Sequence, residues 1–312
     1  MSVTLLFTDG VGIGLPAPRN NPLAGGRYLL SQFADGTGEP LPDPGRVYPL
    51  DTTFGVNGRP QSASNQTALF TGLPAPALLG RHVLGYPNAE LRQLLERHSV
   101  VKALTSRGRR VAFANGYPAA YLDALGLKRT PSAGGELAIP PAQARRLRPS
   151  ASTLAMAAGA VTLRTWEDVR SGRALTHDVD GQHARAKGLP LPHRSAEEAA
   201  DIFWAVAREE DFTLFEHYLA DEAAHRQDAE GVQSALATFD AFARAVISRR
   251  RPDDHVLVCS DHGNAEEQDH RRHTRRPVAL LHFGPAPLAP PTDLAGVGKA
   301  ILRLLDVPEG PT

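Results

Sequence analysis

The stretch from Val256 to Thr274, VLVCSDHGNAEEQDHRRHT, decides how the rest of the chain is read. Val256–Cys259 is a short apolar run, and Ser260 opens a polar loop carrying Asp261, His262, Asn264, Glu266 and, farther on, His273. An unbroken apolar run has the pattern of a parallel strand buried on both faces. In open α/β folds, ligands bind just past the carboxyl ends of such strands. Adjacent acid and imidazole at that point predict a site, provided other strands end in matching groups.

Three other places supply them. Val3–Phe7 reads as a buried first strand running into Thr8-Asp9-Gly10-Val11-Gly12, where the glycines allow a tight turn and leave the Asp9 carboxylate at the strand tip. The glycine spacing is not that of a dinucleotide-binding loop, and the Pro-rich continuation offers no helix. Phe212–Phe215 is a second strand, leading into EHYLADEAAHR. A helix beginning at Asp221 puts Asp221 and His225 on one face at i, i+4, a geometry suited to a shared metal. Pro277–Leu281 is a further strand, entered shortly after His273. Three carboxylates and three imidazoles with no thiolate form a mixed oxygen/nitrogen set, suited to Mn²⁺ or Zn²⁺ in a two-metal site and too rich in carboxylate for a zinc finger.

The segment RPQSASNQTALFTGLPAP, from Arg59 to Pro76, adds hydroxyls. Ser62, Ser64 or Asn65 can cap a short helix ending at Gly72, with Pro74 enforcing the stop. A hydroxyl at a helix N-terminus is also placed to act as a nucleophile, because free N–H groups and the helix dipole stabilise phosphate oxygens there. Residue chemistry alone leaves Ser62, Ser64 and Thr67 open.

Elsewhere the pattern is coarser. Residues 15–60 read as loop, with Tyr28–Phe33 as one helical piece. Leu91–Arg107 is helical in period with an interruption at Ser99-Val100, and Arg110–Ala114 returns as a strand. Ser195–Arg208 is an amphipathic helix capped by Ser195, and Lys299–Leu305 is a terminal helix. The Pro-rich residues 117–192 are expected to form a small cap inserted into one domain spanning 1–312.

Composition narrows the class. Lys plus Arg equals Asp plus Glu at 34 each, so nothing in the overall charge favours nucleic acid or a membrane surface. The one cysteine, Cys259, excludes an intramolecular disulfide. No segment approaches the roughly 18 apolar residues of a membrane span, and no basic stretch precedes the first apolar run. The expectation is a soluble cytoplasmic protein.

With these residues in place, the chain resembles the alkaline phosphatase superfamily, in the metalloenzyme branch that holds cofactor-independent phosphoglycerate mutase and phosphopentomutase. The resemblance rests on Asp-Gly after strand one, a hydroxyl, D-x-x-x-H, the run DHGNAE and HTRRPVALL. It covers about residues 3–116 and 195–285. It implies an α/β three-layer sandwich with a largely parallel central sheet and a small inserted cap. It further implies two divalent ions, Mn²⁺ first and Zn²⁺ as the alternative. One would be held by Asp221, His225 and His273, the other by Asp9, Asp261, His262 and the nucleophile Ser62, with Ser64 in reserve. Asn65 and Asn88 would contact phosphate oxygens. The mutases carry a large basic second domain, whereas the insertion here is short, with Arg145, Arg146 and Arg148 as its densest basic cluster. The expected activity is therefore hydrolysis of a small phosphorylated substrate through a phosphoserine, monoesters before diesters, with a small phosphomutase as the alternative.

Overall fold

The computed structural model describes residues 1–17, 19–25, 27–132, 138–186 and 188–309. In chain order the strands are β1 Val3–Thr8, β2 Arg46–Leu50, β3 Val111–Phe113, β4 Gly116–Tyr117, β5 Arg164–Thr165, β6 Phe212–His217, β7 His255–Cys259 and β8 Val278–Phe283. Six form one sheet in the order β2-β8-β7-β1-β6-β3, and β4 pairs with β5 in a separate two-stranded sheet. β1 runs parallel to both β6 and β7, and β3 parallel to β6. β8 is antiparallel to β7 and to β2. The sheet is thus largely parallel with an antiparallel edge. Every residue of β1, β6, β7 and β8 is buried, which is why these strands read as apolar runs without alternation.

Helices cover both faces. Against one pack α1 Ser62–Thr71, α2 Ala89–His98, α3 Ala151–Ala158 and α7 Leu294–Leu304, around Phe7, Phe113 and Leu214. Against the other pack α4 Ala196–Ala207, α5 Leu219–His225 and α6 Ala229–Ser248, around Phe203, Trp204 and Phe242. This is the alkaline-phosphatase-like three-layer sandwich. Gly298 lets α7 approach α1 closely, since a Cβ there would strike Leu69 O. That contact seats α1 and hence Ser62. Among the described residues no helix is long and apolar enough to cross a membrane.

Three local expectations change. Arg46–Leu50, expected as loop, is an edge strand; its alternate residues are exposed, and Pro49 is tolerated because an outer strand need not donate on both sides. Tyr28–Phe33 is not helical: it makes turns and bridges, and the local helical turn is Pro22–Gly25. The interruption at Ser99 is a full break: Ser99 ends α2 and its Oγ accepts from Val101 and Lys102 N–H to cap Val100–Thr105. Within residues 117–192, α3 packs against α1 and α2.

Candidate metal centre

The parallel strands β6, β1 and β7 lie side by side, so their carboxyl ends bring three separate segments together. Asp9 follows β1, Asp261 and His262 follow β7, and α5 follows β6. The Asp9 N–H donates to His217 O at 2.9 Å, tying the β1 and β6 tips. Gly10 has φ 76° and sits flush against Asp221; a Cβ there would overlap that carboxylate. The 261–274 loop is held by Glu266, whose carboxylate accepts from Gly12 N–H (2.9 Å), Asn264 N–H (2.8 Å) and Thr274 Oγ1 (2.5 Å).

The first cluster centres on His262 Nε2, which lies 3.1 Å from Asp9 Oδ1, 3.6 Å from Asp261 Oδ2 and 2.9 Å from Ser62 Oγ. Asp261 and His262 are fully buried. Burial, with each other and Asp221 as neighbours, raises the Asp9 carboxyl well above the usual range; burial also raises Asp261. Burial opposes charge on His262, yet Asp261, Asp9 and Asp221 outweigh it and hold the ring up at about 10. These carboxylates require a positive charge between them.

The second cluster comprises Asp221, His225 and His273. His225 Nε2 lies 3.2 Å from Asp221 Oδ2; His273 Nε2 lies 3.8 Å from Asp221 Oδ1 and 3.1 Å from His225 Nε2. His225 Nδ1 faces Arg271 O at 3.1 Å, and His273 Nδ1 faces Pro60 O at 2.9 Å. A carbonyl only accepts, so each Nδ1 carries a ring proton; in the neutral tautomer, the one a cation would select, each ring turns an Nε2 lone pair toward Asp221 and the other ring. Two lone pairs and a carboxylate converging on one point fit a cation, and the backbone contacts are those that orient metal-bound imidazoles. Burial pushes His273 down to about 3, keeping its ring neutral, while its hydrogen bond to Asp221 raises His225. Divalent ions therefore fit both donor sets; ligand atoms of Asp9, Asp261 and His262, and likewise of Asp221, His262 and His273, all lie within 4.8 Å of one another.

The hydroxyl candidates separate by their partners. α1 starts at Ser62 behind Gln61, so Ser62, Ser64 and Asn65 lie inside the first turn and none caps it. Ser64 Oγ donates to Gln61 O (3.2 Å) and accepts from Val83 N–H (3.1 Å), and Thr67 Oγ1 donates to Ala63 O. Only Ser62 of the three faces the clusters. The Asn expectations change as well: Asn65 uses Nδ2 to hold Thr52 O and Asp261 O, both at 2.9 Å, and Asn88 caps α2 by accepting from Leu91 N–H. Sequence reasoning missed Gln66, which donates to Asp261 Oδ2 (2.9 Å) and Asp9 Oδ2 (3.3 Å); its place one turn after Ser62 was the available signal. It also missed the partner role of Asn264, which donates to Asp221 Oδ1 at 2.7 Å. A cavity of about 890 Å³ opens over Asp9, Ser62 and Asp221, walled by Tyr86, Tyr117, Tyr121, Tyr218, Arg146, Arg148 and Glu216.

The family described as the Metalloenzyme superfamily matches residues 185–308. Phosphopentomutase of Symbiobacterium thermophilum is 29% identical over 150 residues, 46% of this chain and 35% of that enzyme. Phosphopentomutase of a Methylobacterium species is 37% identical over 84 residues, 26% of this chain and 21% of that enzyme. Alkaline phosphatase from the Antarctic bacterium TAB5 superposes with a TM-score of 0.54 at 14% identity, covering 98% of each chain. The carboxyl-terminal part of the chain thus matches a metalloenzyme family model, and the chain as a whole has the alkaline phosphatase fold. A second solved structure, Thermus thermophilus alkaline phosphatase, has a TM-score of 0.54 at 13% identity over 98% of this chain and 91% of its own. At such identities the solved structures speak for the fold alone. The sequence matches reach only about a third or less of the curated relatives' length.

Proposed function

We propose that the chain transfers a phosphoryl group from a small phosphorylated substrate to Ser62 and on to a second hydroxyl of the same molecule, as a small phosphomutase acting on a phosphosugar. The observation that carries the transfer is the placement of Ser62 Oγ, 2.9 Å from His262 Nε2 and beside the Asp9 and Asp261 carboxylates, at the start of α1. Two divalent ions, Mn²⁺ first and Zn²⁺ second, would supply the charge that lowers the pKa of the Ser62 hydroxyl and neutralises the phosphoryl oxygens. Asp9, Asp261 and His262 would hold one, and Asp221, His225 and His273 the other. Free N–H groups in the first turn of α1 would take phosphate oxygens. Residues 117–192, as a small cap, would confine the substrate.

Transfer within a sugar stands ahead of hydrolysis because the curated relatives are phosphopentomutases, which reverses the order expected from the short insertion. Hydrolysis remains the second reading on one observation: Tyr86 and Tyr218, on the cavity wall, are 55% and 36% exposed, so water reaches the mouth. Incubating Mn²⁺-loaded protein with a pentose 1-phosphate and following ³¹P resonances tests both. Appearance of the 5-phosphate without inorganic phosphate is expected. Stoichiometric phosphate with no isomer would replace the mutase by a phosphatase.

A further inference from the structure

We infer that Glu216 is the proton donor and acceptor for the substrate oxygen that leaves phosphorus and for the one that arrives. The inference rests on the phosphoryl transfer proposed above and concerns a residue outside both metal clusters.

Side chains alternate along β6: Phe212 and Leu214 point into the core beneath α1 and α3, and Phe215 into the opposite one. Glu216 therefore turns to the face that carries Ser62, where the pattern calls for an apolar residue. It is only 7% exposed, yet it lines the same cavity as Ser62, Asp9 and Asp221. Its position is fixed twice. The Glu216 N–H donates to Asn115 Oδ1 and the Glu216 carbonyl accepts from Asn115 Nδ2, both at 2.8 Å. Ser152 Oγ on α3 donates to Oε2 at 2.8 Å, and Tyr117 OH approaches the same oxygen at 3.5 Å.

The groups nearest this carboxyl are Tyr117, Tyr121, Tyr218 and Asp261, while Arg146, Arg148 and Arg226 line the same cavity without an ion pair to it; burial holds all three phenols above their ordinary value and so neutral. An unpaired carboxyl in such a place keeps its proton toward neutrality, and burial raises Glu216 to about 7. A group that titrates there can give and take a proton in one catalytic cycle.

The steps balance. A cation held by Asp9, Asp261 and His262 would lower the pKa of the Ser62 hydroxyl, so that Ser62 would enter as the alkoxide with its proton passed to solvent. As Ser62 Oγ–P forms and the substrate P–O bond breaks, Glu216 gives its proton to the departing oxygen and becomes carboxylate. As the second hydroxyl of the substrate bonds to phosphorus and Ser62 Oγ–P breaks, Glu216 takes that hydroxyl's proton, restoring the starting state.

The test is Glu216→Gln, which keeps the shape and an acceptor for Ser152. Mn²⁺-loaded protein would be assayed by ³¹P NMR on a pentose 5-phosphate, whose leaving oxygen is a primary alcohol, and by the single-turnover burst of p-nitrophenolate from p-nitrophenyl phosphate, whose phenolate needs no proton and whose phosphoryl group stays on Ser62. The sugar ester is expected to react roughly 10²–10⁴-fold more slowly, the aryl ester within about threefold of the parent. Equal losses on both esters, or none on either, would overturn the role and leave the transfer reading standing. If the parent protein leaves both esters untouched, the transfer reading fails and the role falls with it. A second measurement needs no turnover: ¹³C-labelled glutamate spectra of parent minus Glu216→Gln should show one carboxyl titrating near neutrality. A carboxyl with an ordinary carboxylate titration overturns the inference.

Discussion

The two ligand clusters sit a few ångströms apart but solve opposite electrostatic problems. Around His262 there are two buried carboxylates and one ring, and without a cation the proton on His262 stands in for it. Around Asp221 there are two rings and one carboxylate, and the His225 side chain is 42% exposed. The first cluster has charge in excess and is the more deeply buried, meeting the cavity only through Asp9 and Ser62. The second is nearly balanced and wet. The difference predicts that the first would be the tighter, slower-exchanging cation site, and the one whose loss would disturb the fold.

The largest effect expected is from the hydroxyl between them. Ser62→Ala should lower turnover by roughly 10⁴-fold or more, while metal analysis still finds two ions per chain. Ser64→Ala, whose hydroxyl is tied to the backbone, should keep near-parent rates. Reversed outcomes would move the nucleophile two residues along.

Chelation probes the contrast itself. A limited excess of chelator should remove the Asp221/His225/His273 ion first, giving protein with one ion per chain, no turnover and a nearly unchanged melting temperature. Removing the second ion should lower the melting temperature, because a ligand bound only to the folded chain stabilises it. His225→Ala should reproduce the one-ion state. Simultaneous loss of both ions in each case would erase the distinction between the clusters.

Outside the clusters, Glu216 supplies a pH dependence of its own. Its carboxyl ordinarily titrates near 4.5 and is raised to about 7 in the fold by burial. A raised acid is held protonated by the native state, so it has no cost below the unfolded value. Between the two values stability falls with rising pH, toward a ceiling of about 3 kcal/mol. Glu216→Gln should therefore be more stable than the parent above pH 7 and equal to it near pH 4.5, as read by chemical denaturation at both pH values. A difference that does not grow with pH would contradict this.

The smallest effect is at a helix cap. Asn88→Ala should cost about 1 kcal/mol through the lost cap of α2, with turnover unchanged. A selective fall in turnover would return Asn88 to the site.

The parts of the molecule legible in the sequence are those where one local pattern has one cause. β1, β6, β7 and β8 are buried on both faces, so their apolar runs could mean little else, and the polar residues after them mark the sheet edge. The i, i+4 spacing of Asp221 and His225 likewise needs only a helix to bring the pair together. What escaped depends on distant partners. β2 is defined by hydrogen bonds to β8, far along the chain, and its Pro49 argued against a strand. Gln66 looks like any polar helix residue until Asp9 and Asp261 are placed beside it. Glu216 ends a strand whose earlier residues are apolar, and only the position of Ser152 and Tyr117 shows that it points into the cavity. Asn65 and Asn88 were implied by the family resemblance alone, while their side chains meet backbone groups. The order of hydrolase and mutase was argued from the size of an insertion, which says how far a substrate is enclosed but not which acceptor takes the phosphoryl group.

One arrangement has a consequence for how such proteins diversify. The donor groups come from the tip of β1, the first turn of α1, α5 after β6 and the loop between β7 and β8, so among the described residues the long stretch between Ser62 and Asp221 contributes no donor to either cluster. Strand adjacency sets the spacing of the donors, and the stretch between α3 and α4, which carries no strand of the six-stranded sheet, can change length without moving them. The donors and much of the outer cavity wall are thus carried by different stretches of chain, so the wall could be altered without disturbing the donors.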